Sequence, residues 1–162
     1  MKPNLIALFL ILLLAGCEVG TALADEIRWD DLIVSIIEIE SNGNPNAISE
    51  DGCIGLMQIS PIVLEEYLEY LCEPLRHKMV SENEIKAIDK NIGDLFDKNF
   101  NIKIGTWYLH RLHEHYGCKT IEQILMAYNG GIGNCRKNNF DIKKSPKETQ
   151  NYVKKVLKLY NK

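Results

Sequence analysis

The sequence lacks the surplus of positive charge that nucleic-acid-binding proteins usually carry. Its 19 lysine and arginine residues are outnumbered by 22 aspartate and glutamate residues, which gives a formal net charge of -3. A protein that neutralises phosphate groups normally needs the opposite balance. Nucleic acid is therefore a poor candidate for a partner.

The sequence also lacks an apolar run long enough to span a membrane. Its longest such stretch, residues 5–15, is shorter than the roughly 18 to 20 residues that a transmembrane helix needs. Lys2 precedes this stretch and small residues follow it, an order typical of an export signal. We predict that residues 1–24 direct export and that residues 25–162 form one domain outside the cytoplasm.

Two processing sites compete within this leader. Residues 14–17 read L-A-G-C, the form of a bacterial lipobox, in which Cys17 would carry the lipid. Residues 22–24 read A-L-A, the form cut by ordinary signal peptidase. Glu18 lies in the region of the second site and counts against it. The sequence therefore favours a lipid-anchored protein of the periplasm or cell envelope, with free secretion as the alternative.

Paired C-x-x-C elements are absent, which argues against a zinc site. Four cysteines follow the leader whichever site is cut, and outside the cytoplasm they suggest up to two disulfides with three possible connectivities. We expect at least one disulfide. The four residues are Cys53, Cys72, Cys118 and Cys135.

Apolar residues recur at helical spacing along the chain, whereas no stretch alternates as a strand would and no internal repeat is visible. A first helix is predicted over residues 29–41, and a second opens with Ser60 as N-cap and Pro61 at the first position. This pattern predicts a compact all-α domain. Further helices are predicted at residues 81–89, 102–116, 120–128 and from 145 onward.

Glu40 lies in the last turn of the first predicted helix. Cleavage of a glycosidic bond needs an acid for the leaving oxygen, and a carboxyl group serves near neutral pH only if burial raises its pKa. Ile36 and Ile37, one turn earlier, can exclude water from one side of Glu40. The glycine and asparagine that follow leave the other side open to a groove. On this helix alone, a surface glutamate at a helix end is the alternative.

A longer pattern connects Glu40 with motifs across most of the chain. It runs through E-S at residues 40–41, G-L-M-Q at 55–58, A-Y-N at 127–129 and E-T at 148–149. With these motifs the chain resembles the catalytic domain of the soluble lytic transglycosylases, in the lysozyme-like superfamily. The resemblance covers nearly the whole chain after the leader.

The resemblance implies a lysozyme-like helical domain with a substrate groove and an enzyme of peptidoglycan. Such an enzyme cleaves the β-1,4 bond between MurNAc and GlcNAc without water and leaves a 1,6-anhydro-muramyl end. Because the family uses one glutamate for both steps, Glu40 would be first the acid and then the base. We expect a monomer whose partner is the glycan strand, with no metal and no cofactor.

Four further site residues follow from the resemblance, each with a plainer alternative. Ser49 would orient the substrate's acetamido group or the glutamate, although any turn could use a serine there. Gln58 would line the same cleft, and Tyr128 and Glu148 would face it from the other side. Tyr128 also continues the apolar face of its helix. Glu148 stands three residues after Ser145, the spacing of a capping box.

Three features depart from the family pattern or point elsewhere. Ser60 stands where many relatives have a cleft methionine. The segment at residues 70–90 is longer than the usual connection and would be a lid, an altered subsite or a disulfide-tied addition, with Cys72 as a participant in the disulfide. His110 and His113 share a helical face, but no convincing third ligand accompanies them, so a solvated helix surface is favoured over a metal site.

Two other functions are compatible with the same motifs. A hydrolytic muramidase of goose-lysozyme type would need a second carboxylate, and only Glu50 and Asp51 lie near the motif, both in turn-like sequence. An inactive wall-binding scaffold would tolerate loss of Glu40. The presence of Glu40 with its supporting pattern argues against the scaffold.

Overall fold

A computed structural model describes residues 26–73 and 95–162, and helices account for most of both ranges. Within them no strand is formed, and isolated bridges pair Ile54 with Ile48 and with Ile59. The all-α prediction is confirmed, while the helix predicted at 81–89 lies outside the described residues. The helices are α1 (Trp29–Ser41), α2 (Pro61–Cys72), α3 (Lys98–His110) with a π-helical turn (Arg111–His115), α4 (Ile121–Gly130), α5 (Ile132–Lys137) and, after a 3-10 turn (Ile142–Lys144), α6 (Lys147–Tyr160).

The first helix ends where the sequence predicts. Asn42 follows it in the left-handed conformation, with φ 51°, and its amide donates to the carbonyl of Glu38. Asparagine adopts this conformation more readily than most residues, so it ends the helix cleanly. Leu32 and Ile36 on the same helix are fully buried in the core, which fixes the position of Glu40 one turn later.

The second helix confirms the predicted cap. The Ser60 hydroxyl accepts a hydrogen bond from the amide of Val63 at 3.3 Å, and Pro61 occupies the first helical position. Proline costs little there because that amide has no partner within the helix. On this helix Tyr67 is buried and anchors it to the core.

The third and fifth helices differ from prediction. Helix α3 begins four residues before the predicted 102, because the carboxylate of Asp97 caps it by accepting from the amide of Phe100 at 2.8 Å. Helix α5 was not predicted at all, since it is short and interrupted by glycine, but Cys135 is buried and packs it against the core.

The centre of the core is α4, which packs against α6. Helix α6 also packs against α1, and the Arg28 guanidinium donates to the carbonyl of Tyr160 at 2.6 Å. The two ends of the described chain thus meet. No helix within residues 26–73 and 95–162 is both long and apolar enough to cross a membrane. The fully buried residues of α4 are Ile124, Leu125, Met126 and Ala127.

Candidate active site

One buried side chain of α3 shapes the loop that carries the G-L-M-Q motif. The Asn101 amide oxygen accepts from the backbone amide of Met57 at 2.8 Å. Its amide nitrogen donates to the carbonyls of Ile54 at 2.8 Å and Leu95 at 2.9 Å. Because Asn101 is fully buried, these bonds are shielded from water and hold the loop in one conformation.

This contact with Asn101 explains why residue 55 is a glycine. Its φ is +81°, a conformation that side chains rarely adopt, and a Cβ atom there would collide with the side chain of Asn101 and lie 2.6 Å from the carbonyl oxygen of Leu95. Glycine therefore lets the loop pass close to α3.

Ser41 and Tyr128 tie the same loop to the helices on either side of it. The Ser41 hydroxyl, at the end of α1, donates to the carbonyl of Leu56 at 2.8 Å. The Tyr128 hydroxyl, on α4, donates to the carbonyl of Met57 at 2.8 Å. The serine of E-S and the tyrosine of A-Y-N thus have direct structural roles, beside any contact with substrate.

Glu40 has an acid strength suited to proton transfer near neutral pH. Burial raises the pKa of its carboxyl group from 4.5 to about 7, and interaction with the Tyr152 hydroxyl opposes this by a smaller amount. That hydroxyl is itself buried and has no partner of good hydrogen-bond geometry in the described part of the chain. Burial also raises the pKa of Tyr152 well above its usual value, so it remains a donor.

A groove of about 380 Å³ opens beside the Glu40 carboxyl. It brings together all five residues that the sequence suggested for the site. It also contains groups that were not predicted for it, among them Tyr108 from α3 and Cys53 from the loop. The residues of interest along it are Glu40, Ser49, Asp51, Cys53, Gln58, Ser60, Ile62, Tyr108, Tyr128, Asn129 and Glu148.

Ser49 and Gln58 line this groove and also hold the turn beneath it. The Ser49 hydroxyl oxygen accepts from the amide of Cys53 at 3.0 Å. The Gln58 side-chain amide donates to the carbonyls of Ala47 at 3.2 Å and Gly55 at 3.0 Å. The turn alternative for Ser49 is therefore real, and it leaves the hydroxyl proton for a second acceptor.

Glu148 is exposed at the start of α6 and lines the groove from its far wall. Pro146 occupies the N-cap position of this helix, and no side chain caps it. The capping-box alternative for Ser145 and Glu148 is therefore wrong. The Glu148 carboxylate is therefore free of a capping role and faces the groove.

Two histidines pack against the first turn of α1. The rings of His110 and His113 lie with their centroids 4.2 Å and 5.8 Å from that of Trp29. The solvated surface that the sequence suggested is thus only partly correct, because these rings share an aromatic cluster. In the described ranges no group of three histidine, cysteine, aspartate or glutamate side chains is placed to hold a metal ion.

The family model described as the transglycosylase SLT domain matches residues 20–151. The chain belongs to this family. The resemblance inferred from the motifs is thereby confirmed.

Two relatives of this lytic transglycosylase domain are named as membrane-bound enzymes. Membrane-bound lytic murein transglycosylase E of Buchnera aphidicola subsp. Acyrthosiphon pisum is 31% identical over 141 residues, which cover 83% of this chain and 57% of that protein. Membrane-bound lytic murein transglycosylase C of Photorhabdus laumondii subsp. laumondii is 30% identical over 110 residues, 64% of this chain and 28% of that one. The chain spans less than two thirds of either relative.

Solved structures share the fold. The 70 kDa soluble lytic transglycosylase of Escherichia coli superposes with a TM-score of 0.58 at 28% identity, over 84% of this chain and 21% of that one. The lytic transglycosylase Slt of Pseudomonas aeruginosa, solved as an inactive mutant, superposes with a TM-score of 0.53 at 23% identity. The match covers 80% of this chain and 20% of that one. The second likeness concerns the fold alone. The lysozyme-like all-α prediction is confirmed.

Three residues important to the site were not predicted as part of it. They are Asn101, Tyr108 and Tyr152. Helical spacing from Val153 and Val156 places Tyr152 on the buried face of α6, which was the available signal. That its hydroxyl meets Glu40 depends on the packing of α6 against α1.

Proposed function

We propose that this protein is a lytic transglycosylase that cleaves the β-1,4 bond between MurNAc and GlcNAc in peptidoglycan. Membership of the family supports the reaction class. The observation that carries the proposal is the partly buried Glu40 carboxyl beside an open groove, with a pKa of about 7. At neutral pH a large share of such groups carries the proton that the first step needs, and that step leaves the carboxylate that the second step needs.

In the first step Glu40 acts as an acid. Its protonated carboxyl gives the proton to the glycosidic oxygen while the bond from that oxygen to the anomeric carbon breaks and positive charge builds on the carbon. The Tyr152 hydroxyl stabilises the carboxylate that forms. Burial and Tyr152 thus act in opposite directions on the pKa, which keeps the proton transferable at neutral pH.

In the second step the Glu40 carboxylate acts as a base. It takes the proton from the 6-hydroxyl of the same sugar, and that oxygen bonds to the anomeric carbon to close the 1,6-anhydro ring. The carboxyl regains its proton, so no water and no nucleophilic carboxylate are consumed. One buried glutamate is sufficient for this chemistry.

The other predicted site residues would hold the sugar. The Ser49 hydroxyl can donate to an acetamido oxygen, and Gln58 lines the same wall. The Tyr128 hydroxyl is already bonded to the loop, so this residue offers its ring. Glu148 accepts from sugar hydroxyls at the far wall. We propose a monomer as the active form, because one chain supplies all of these groups.

Asp51 also lines the groove, so a hydrolytic muramidase would find one carboxylate there, but membership of the SLT family does not favour that function. A hydrolase would use it to position water or to attack the sugar. Asp51 lies in an exposed turn, so water and turn geometry account for it without such a role. The chemical nature of the reaction product separates the two functions.

Replacing Tyr152 by phenylalanine should shift the pH dependence of turnover upward. The hydroxyl lowers the pKa of Glu40, so its loss is expected to raise that pKa further above its usual value. The descending, alkaline limb of kcat should move up accordingly, since the acid stays protonated to higher pH. Tyr160→Phe is the matched control, because the Tyr160 hydroxyl accepts from the Arg28 amide instead. An unchanged limb in Tyr152→Phe would contradict this role.

We further propose that the leader within residues 1–24 exports the protein, and that cleavage before Cys17 leaves a lipid-modified Cys17 that tethers it to the cell envelope. The L-A-G-C sequence supports the modification, and the membrane-bound names of the relatives support the location. Mass spectrometry of the protein from membranes should find an acylated Cys17 at the N-terminus. Asp25 as a free N-terminal residue would contradict the tether.

A further inference from the structure

Two buried cysteines lie on neighbouring segments of the hydrophobic core. Cys118 follows the π-helical turn and is fully buried, and Cys135 on α5 is 2% exposed. Both belong to the main hydrophobic core. Their chain neighbours also meet, since the Arg136 guanidinium lies 5.3 Å from the centre of the Tyr116 ring.

The electrostatics of the two thiols agree with this placement. Burial raises the pKa of both, and the charge of Cys135 raises that of Cys118 further, to about 11. Burial raises the pKa of Tyr108, and both thiols raise it further. The structure holds all four cysteines of the described ranges as free thiols, so the disulfide expected from the sequence is not confirmed.

We propose that Cys118 and Cys135 form a disulfide in the exported protein, which fixes α5 to the turn after α3. This inference rests on the proposed export, because an oxidising compartment is needed to keep the bond. Both thiols lose a proton and together release two electrons. A disulfide-bearing oxidant takes these up by thiol–disulfide exchange and leaves as two thiols.

The bond should form early in folding. Exchange requires a thiolate, and buried thiols of raised pKa supply little of it once the core has closed. The loop closed by the bond contains all of α4, the helix whose end carries Tyr128 and Asn129 into the groove. Closing it would restrict one wall of the groove. Cys53, which lines the groove, and Cys72, at the end of α2, would stay reduced, so the sequence-based choice of Cys72 is not adopted.

Trypsin separates the candidate pairs cleanly. Cleavage after Arg111, Lys119 and Arg136 puts Cys118 in fragment 112–119 and Cys135 in fragment 120–136, while Cys53 and Cys72 share fragment 29–76. The full-length protein would be isolated from cell envelopes with N-ethylmaleimide present, then digested without reduction. We expect 112–119 linked to 120–136. A link from either fragment to 29–76 would overturn the pairing. Maleimide on both Cys118 and Cys135, after unfolding in the presence of the reagent, would show that the two thiols are free in the cell.

A second arm separates the pairing from the export proposal. Reduced, unfolded protein would be refolded in a buffer of reduced and oxidised glutathione and digested in the same way. The same linked fragments would support the pairing even if the cellular protein carried free thiols, a result that would contradict export. Their absence after refolding to an active enzyme would overturn the pairing whatever the compartment.

Variants test the effect on stability. The bond should raise the melting temperature of the oxidised over the reduced wild type by roughly 5 to 15 °C. Cys118→Ser and Cys135→Ser should lose this response to reductant, and Cys72→Ser, the matched control, should keep it. An equal response in all three variants would overturn the pairing.

Discussion

Replacing Glu40 by glutamine is expected to abolish turnover of peptidoglycan while leaving binding nearly unchanged. Glutamine keeps the shape of the side chain but can neither give nor accept the proton. Loss of a positioned acid or base typically costs about 100-fold to 10,000-fold for each role, and Glu40 has both. Digestion of purified peptidoglycan measures the rate, and co-sedimentation with the same material measures binding.

Glu38→Gln is the matched control for this substitution. Glu38 lies on the same helix, also near its end, but its side chain is exposed and does not line the groove. The Glu38→Gln substitution makes the same chemical change, and this variant should retain normal turnover. Turnover near that of the wild type in Glu40→Gln would remove Glu40 from the catalytic role altogether.

Replacing Asn101 by alanine should lower the free energy of unfolding by about 3 to 5 kcal/mol. The change leaves the buried amide of Met57 and the carbonyls of Ile54 and Leu95 without their partner. Each unsatisfied buried group costs free energy, and a small cavity adds to the loss. Denaturant unfolding followed by circular dichroism measures it.

Asn151→Ala is the control for the asparagine change, because Asn151 is exposed on α6 and its replacement should have little effect on stability. Turnover by folded Asn101→Ala should fall as well, since the loop that carries Gln58 loses its support. A loss of stability no larger than that of Asn151→Ala would contradict the role assigned to Asn101.

Elements with clear end signals could be predicted from the sequence. Helix α1 ends at the N-G-N-P turn as expected, and α2 starts at the Ser60 cap and Pro61. The start of α3 was missed because the Asp97 cap precedes the apolar pattern that suggested the helix. Helix α5 was missed because packing of Cys135, rather than helix propensity, stabilises so short a segment.

Residues of the site could be chosen from their motifs, but not the contacts that give them their properties. The apolar residues before Glu40 suggested a raised pKa, and burial does raise it. The hydroxyl that lowers this pKa belongs to Tyr152, which is far from Glu40 in the sequence. Only the packing of α6 against α1 brings the two side chains together. The helical pattern likewise does not distinguish Asn101 from its neighbours, because its hydrogen bonds to the loop depend on the packing of α3 against that loop.

The start of α2 gives the groove one polar and one apolar side chain. Ser60 lines the groove while its oxygen caps α2. Beside it Ile62 is 75% exposed and lines the same wall. An exposed apolar side chain thus lies beside the serine in that part of the groove, on the first turn of α2.

The products of the reaction test the central claim most directly. Purified peptidoglycan would be digested with the wild-type protein, and the soluble fragments would be resolved by mass spectrometry before and after borohydride reduction. Intramolecular attack by the 6-hydroxyl predicts 1,6-anhydro-muramyl ends, which borohydride leaves unchanged. Fragments that end in reducible muramic acid would show that water was the nucleophile and would contradict the transglycosylase mechanism.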